Sequence, residues 1–394
     1  MALEVVTMAP PLVRHGVVFV SMNYRLGRLG FFAHPLLRAE DPDGLLGNYG
    51  FMDQIAALRW VKANIAAFGG DPANTTIFGI SAGGESVNFL MTSPSAAGLF
   101  SKAIAMGSYQ RYDFPPIADV ERSGSAFLER EWRFPKTAAD LRALPAEMFF
   151  GSYVHGAAAD YPMPMVDGKL VPKDLMEAFA KGEQARVPYM AGATSWEASI
   201  SQSSRDRDPE LLLKWLGTSR SRALALYGGD LLSASREMET DAGSTEPNRA
   251  AARLMARIGQ PALTYSFSYV PTSQRGKVPG PPHGGDVPFV FGNLPSTASN
   301  EDRAISDSIM AYFTEFARTG RPGSAGGPAW PSFGKDGEAT MEFGLEGPRV
   351  RPDLYKARLD FVEEARVGCV IEVWDHASAA CKRRIAEAAA RAER

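Results

Sequence analysis

Residues Thr75 to Ser86 read TTIFGISAGGES. A short β-branched and aromatic run, Thr75-Thr76-Ile77-Phe78, meets Gly79, and the pattern glycine, any, serine, any, glycine follows as Gly79-Ile80-Ser81-Ala82-Gly83 ahead of a helical segment. That is the order strand, sharp turn, helix. The glycines two positions before and after the serine remove Cβ atoms expected to collide where a strand end and a helix start are forced together. Such a turn is expected to strain the backbone of its central residue and to lift the hydroxyl above a sheet. It lies at a helix N-terminus, where free N–H groups and the dipole favour negative charge. Ser81 therefore reads as a nucleophile.

Outward from this turn the chain has the makings of a large α/β domain. Its 394 residues exceed one typical domain length, but α/β enzymes of this size often fold around one sheet, so we expect a single domain over 1–394. A hydrophobic fraction of 45% and a net charge of −3 mark a soluble globular chain with no basic footprint, and nucleic acid is not an expected partner. The two cysteines, Cys369 and Cys381, allow neither a disulfide framework nor zinc spacing; they read as buried or idle thiols, a local bridge being the lesser alternative. The N-terminus has Glu4 and prolines at 10 and 11, and its longest apolar run is a strand's worth. It reads as neither signal peptide nor membrane span, so a cytoplasmic location is expected.

Gly16 to Met22, GVVFVSM, is almost continuous in apolar β-formers and is expected to be a central strand buried on both faces. From Phe51 to Phe68 apolar residues recur at helical spacing until Gly69-Gly70, so one helix face should pack on the sheet. Lys102 to Met106, Val187 to Ala191 and Pro261 to Val270 read as further strands. Pro209 to Leu216, Arg249 to Ile258 and Asn300 to Ala317 read as helices, the last carrying Ile305, Ile309, Phe313 and Phe316 on one side. About 110–185 is less regular, an insert or cap that includes Tyr161 to Gly168 as a turn-bounded strand or loop. The Ala-rich, charged stretch 377–394 reads as a solvated terminal helix.

A serine hydroxyl needs an imidazole to take its proton, and the imidazole needs a carboxylate to fix its tautomer. Of five histidines, His15, His34, His155 and His376 read more simply as surface or packing residues. His283 lies in a Gly/Pro-rich loop after the strand PALTYSFSYV, where the chain order serine, acid, histidine would place it. Glu197 follows the strand VPYMA in a short loop, and ligands of open α/β sheets gather at strand carboxyl ends. That location favours it over Asp167, Glu183 and Asp286.

The segments NYRLGRLGFF, GNYGFMDQIAALRWVKANIAAFGGDPANTTIFGISAGGESV, GATSWEA and HGGDVPFVFG, with WPSF and CVIEVWDHA, resemble successive motifs of the type-B carboxylesterases, which include cholinesterases and para-nitrobenzyl esterases. The resemblance runs over almost the whole chain. It implies the α/β-hydrolase fold, a mostly parallel sheet flanked by helices, and carries over Ser81, Glu197 and His283 as catalytic residues with no cofactor and no metal. Two departures stand out. Ile80 replaces the glutamate usual before the serine, which makes a cationic substrate less expected. The family's HGGG-type oxyanion loop has no counterpart ahead of GVVFVSM, so N-terminal strands are expected to be missing, and of the oxyanion donors only the backbone N–H of Ala82 can be named.

The expectation is therefore a serine ester hydrolase with a Ser-Glu-His triad acting through an acyl-serine on small or medium uncharged esters. Neither nucleic acid nor membrane is an expected partner. The alternative is a truncated or non-catalytic cholinesterase-like protein with impaired or no activity.

Overall fold

Apolar β-forming runs that alternate with amphipathic helical stretches favour a layered α/β arrangement. The computed structural model describes residues 10–41, 47–108, 114–150, 163–202, 209, 213, 218, 220–334 and 337–364. Among these, six strands form one sheet in sequence order: β1 (Thr76–Ile80), β2 (Lys102–Met106), β3 (Tyr189–Thr194), β4 (Ala262–Phe267), β5 (Ala339–Gly344) and β6 (Gly347–Pro352). β1 to β5 run parallel, and β6 returns antiparallel along β5. Ile80 is level with Met106, Met106 with Gly192, and Gly192 with Tyr265. This register aligns the carboxyl ends of the first four strands, so the segments that leave them emerge side by side.

Alternate strand residues face opposite sides, and each side has its own core. Ala103, Ala105, Tyr189 and Ala262 join Phe51, Ile55 and Leu58 of the Tyr49–Asn64 helix and Leu90 and Met91 of the Ala82–Thr92 helix. On the other side Ile104, Met190, Leu263 and Phe267 meet Ile305, Ile309, Phe313 and Phe316. These four come from the Asn300–Thr319 helix, which starts in a capping box between Ser299 and Asp302 and stops at Gly320 with φ 77°. Burying each such side chain stabilises the fold by about 2 kcal/mol, so the apolar stripe read from the sequence is a main anchor of this layer.

The structure corrects several expectations. Gly16 to Met22 is not a strand of the sheet. The chain there is extended without ladder pairing, and only one face is covered: Phe19 packs edge-on to Phe78 at 6.0 Å and to Phe291 at 5.7 Å, whereas Val18 and Val20 are 45% and 38% exposed. Contact through ring side chains holds the segment beside β1 without joining their backbones. The helix expected to run to Phe68 gives way to a 3-10 turn over Ile65–Phe68; Phe68 is exposed and pairs with Trp60 rather than facing the sheet. Within Tyr161 to Gly168, read as a strand or a loop, the described residues 163–168 take the loop form, with a single bridge from Val166 to Pro116. The region 110–185 holds helices at Ile117–Arg130, Ala138–Arg142 and Leu175–Lys181. Most of Pro209 to Leu216, the 377–394 tail, His155, His376, Cys369 and Cys381 lie outside the described residues. No helix among the described residues is long and apolar enough to cross a membrane.

Candidate active site

β1 ends at Ile80, and Ser81 turns the chain with φ 57° and ψ −125°, a conformation that costs a non-glycine residue about 1–3 kcal/mol. The turn is pinned on both sides. Ser81 N–H donates to the Met106 carbonyl at 3.0 Å, and Glu85 N–H donates to the Ser81 carbonyl at 2.9 Å. Ser81 is the N-cap of the Ala82–Thr92 helix, yet its side chain makes no capping bond, which leaves the hydroxyl available. The glycine requirement differs from the symmetrical one read from the sequence. A Cβ on Gly79 would lie 2.5 Å from the Gly83 carbonyl carbon, and one on Gly84 2.7 Å from the Met106 carbonyl oxygen, whereas a Cβ on Gly83 would meet nothing within 4 Å. Gly79 and Gly84 allow the close approach.

Three residues after β3, Glu197 is 1% exposed. Its Oε1 accepts from the Thr194 amide at 2.8 Å and the Thr194 hydroxyl at 2.9 Å, and its Oε2 is hydrogen-bonded to Nδ1 of His283. The His283 loop is held independently, because His283 N–H donates to Ser199 Oγ at 2.7 Å and Pro282 forms a bridge with Trp196. The structure thus brings Glu197 and His283 together. It places them beside the Ser81 turn, with Ile80 Cδ1 3.6 Å from the position of a Cβ on Gly284. No hydrogen bond joins the Ser81 hydroxyl to the imidazole among the described contacts; such bonds often tighten only with substrate bound.

Gly107, which follows β2, was not singled out in the sequence. A Cβ there would sit 3.2 Å from His283 Cε1 and 3.3 Å from Glu197 Oε1, and its φ is 47°. Asp286, the alternative acid, bonds elsewhere: Tyr265 donates to its Oδ2 at 2.8 Å, and its buried Oδ1 has no hydrogen-bond partner. The Tyr265 ring reaches it by crossing Gly192, where a Cβ would be 2.2 Å from the ring. Of the other described histidines, His34 caps a short helix by accepting from Leu36 N–H at 3.2 Å, and His15 is exposed. Both fit structural readings. Among the described residues no group of three His, Cys, Asp or Glu could hold a metal ion.

The electrostatics favour a histidine that accepts a proton. Burial alone would lower His283, but the hydrogen bond and charge of Glu197, aided by Asp286 and Glu85, outweigh it and raise the imidazole above its ordinary value. Burial pushes Asp286 up to about 6, reinforced by the nearby Glu197 charge. A buried carboxylate that orients an imidazole beside a strained serine can support nucleophilic attack on an acyl carbon.

Comparison with known proteins agrees with this geometry: the family described as Carboxylesterase family matches residues 8–224 and 227–362. The chain belongs to the carboxylesterase family. Among carboxylesterase relatives, Fumonisin B1 esterase of Sphingopyxis macrogoltabida is 30% identical over 373 residues, covering 85% of this chain and 65% of that one. Carboxylesterase 1D of Rattus norvegicus is 31% identical over 363 residues, covering 80% and 63%. The solved structure of a PNB esterase superposes with a TM-score of 0.74 at 28% identity, covering 89% of this chain and 75% of that one. The fold is accordingly the α/β-hydrolase fold. The chain spans less than two thirds of the length of these two curated relatives.

Proposed function

We propose that this chain hydrolyses carboxylic esters through an acyl-serine intermediate, with Ser81 as nucleophile, His283 as base and Glu197 orienting the imidazole. The observation that carries this reading is the pair of buried Glu197 and part-buried His283, supplied by the segments after β3 and β4 and set beside the strained Ser81. His283 takes the Ser81 proton as Oγ bonds to the acyl carbon, and the Ala82 amide, at the open end of its helix, donates to the oxygen that becomes negative. The imidazolium then protonates the leaving alcohol, and water repeats the sequence to release the acid. Glu197 is fixed by Thr194 and stabilises the imidazolium without itself taking the proton. Ile80 presents an apolar side chain next to the nucleophile, which supports small or medium uncharged esters as substrates. The names of the relatives, liver carboxylesterase of Sus scrofa among them, point to the same reaction class.

A fluorophosphonate probe should attach to Ser81 and to no other residue, and para-nitrophenyl acetate should be hydrolysed. Labelling that survives Ser81→Ala would remove Ser81 from its role. No labelling and no hydrolysis by the folded chain would favour the non-catalytic alternative.

A further inference from the structure

Residues 240–248 read TDAGSTEPN and lie in the middle of a long helical stretch, where the helix Leu231–Thr240 passes into Glu246–Arg257. Pro247 has no N–H, and its ring would collide with the carbonyl of residue 243, so an ordinary α-turn cannot pass through this point. The chain widens instead into a π-turn over Asp241–Thr245, closed by Glu246 N–H donating to the Asp241 carbonyl. Turns of this kind are rare and frequently mark functional sites. Thr240, Ser244 and Asn248 fall four residues apart, on one face of the stretch, and all three are buried although polar. Their bonds reach the segments that leave β2 and β3. Thr240 Oγ1 accepts from the Ala198 amide at 3.2 Å, and Ser244 Oγ donates to the Ser108 carbonyl at 3.3 Å while accepting from Asn248 Nδ2 at 3.4 Å.

Both attachment points adjoin the Glu197–His283 pair. Glu197 holds the His283 ring and Ser199 holds its backbone amide, so Ala198 links the two grips, and Thr240 sets where that link lies. Ser108 follows Gly107, whose Cβ position is in contact with both His283 and Glu197. Ser108 Oγ also accepts from Asn88 of the Ser81 helix at 3.3 Å. The far side of the π-turn is anchored by Arg358, which bonds to Asp241 and Glu237. Directional bonds from a packed and anchored helix fix the position of the backbone groups they satisfy. We infer that Thr240 and Ser244 are positioning residues: the π-turn braces the segments after β2 and β3 and so fixes the Glu197 carboxylate and the His283 imidazole relative to Ser81. This rests on the esterase reading above. Neither hydroxyl touches substrate, and neither takes part in proton transfer.

Two independent readouts test the brace: steady-state kinetics on para-nitrophenyl acetate and the proton resonance of His283 Nδ1–H. Thr240→Val keeps the shape of the side chain and removes the acceptor; Ser244→Ala removes the donor to Ser108. Because a 1 Å misplacement costs about 100-fold, a shift of a few tenths of an ångström in either variant should lower kcat about tenfold, with KM within about twofold. The resonance, assigned by its absence from His283→Ala, should move or broaden as the bond to Glu197 is disturbed. Thr240→Ser restores the hydroxyl and should restore both readouts. Met238→Val loosens the same helix on its apolar side, where Met238 packs among Leu213, Ala223 and Phe361; it should lower the melting temperature and leave kcat unchanged. Wild-type kcat with an unmoved resonance in Thr240→Val or Ser244→Ala, a Thr240→Ser no better than Thr240→Val, or a Met238→Val whose kcat falls as far as theirs would overturn the inference. Should Thr240→Val fail to fold, Ser244→Ala is judged alone by the same two readouts. If the folded wild type hydrolyses no ester, the esterase reading fails, and the resonance in the variants then decides the brace by itself.

Discussion

Replacing Gly107 by alanine tests whether the end of β2 holds the Glu197–His283 pair in place. At φ 47° a Cβ costs about 1–2 kcal/mol from the backbone alone. The new methyl would then press on His283 Cε1 at 3.2 Å and on the Glu197 oxygens at 3.3 and 3.4 Å, closer than comfortable van der Waals contact. The backbone cannot withdraw freely, because Gly107 N–H donates to the Gly192 carbonyl at 2.8 Å, and losing that bond costs a further 1 kcal/mol or so. We therefore expect a loss of about 2–3 kcal/mol in stability. A misplacement of 1 Å costs about 100-fold, so a shift of a few tenths of an ångström in the pair should cost about tenfold in kcat with KM little changed. Thermal unfolding and para-nitrophenyl acetate kinetics measure both. Gly83→Ala is the stability control: nothing lies within 4 Å of its Cβ position, and alanine exceeds glycine in a helix by about 1 kcal/mol, so its melting temperature should hold or rise. Wild-type stability and turnover in Gly107→Ala would refute the packing argument.

Glu197→Gln removes the interactions that raise His283 and leaves the burial that lowers it. Its rate should rise with pH at a lower pH than the wild type's, with turnover down about 1000-fold or more; an unmoved limb would assign the base elsewhere. Asp286 holds its proton more tightly in the fold than in the unfolded chain. The stability this confers is full below pH 3.8 and is lost as pH rises to about 6, a difference of about 3 kcal/mol. Asp286→Asn, which still accepts from Tyr265, should be more stable than the wild type at neutral pH by up to that amount, the gap closing on acidification; urea unfolding at two pH values decides it. Gly79→Ala would drive a methyl into the Gly83 backbone, which has no flexible end to yield. It should lose about 3 kcal/mol or more, and a soluble, normally melting variant would contradict the close approach.

The features legible in the sequence were those whose physics is local. The Asn300–Thr319 helix announces its apolar stripe and its terminal glycine within 21 residues, and the Ser81 turn announces itself because the backbone there demands glycine. Apolar content in Gly16 to Met22 reported a capacity for burial but not the presence of a backbone partner. The β5–β6 hairpin was not anticipated: the returning strand, GPRVRP, is largely exposed and polar, with little apolar alternation to mark it. Gly107 escaped for a different reason. Its need for hydrogen in place of a side chain comes from His283 and Glu197, which arrive from distant loops. Gly83 shows the converse, since a motif position can be glycine without its own Cβ position being crowded.

Because each strand pairs with its neighbour in sequence, the sheet can grow in the direction of synthesis, β1 first. A ribosome adding about 5–20 residues per second completes the Ser81 turn long before His283 exists. For some tens of seconds the nascent chain would carry a strained serine with no base, chemically quiet despite its shape. Phosphonate reactivity at Ser81 on stalled chains of increasing length would therefore appear only after the His283 loop clears the exit tunnel, which makes the serine a timer for closure of the fourth strand.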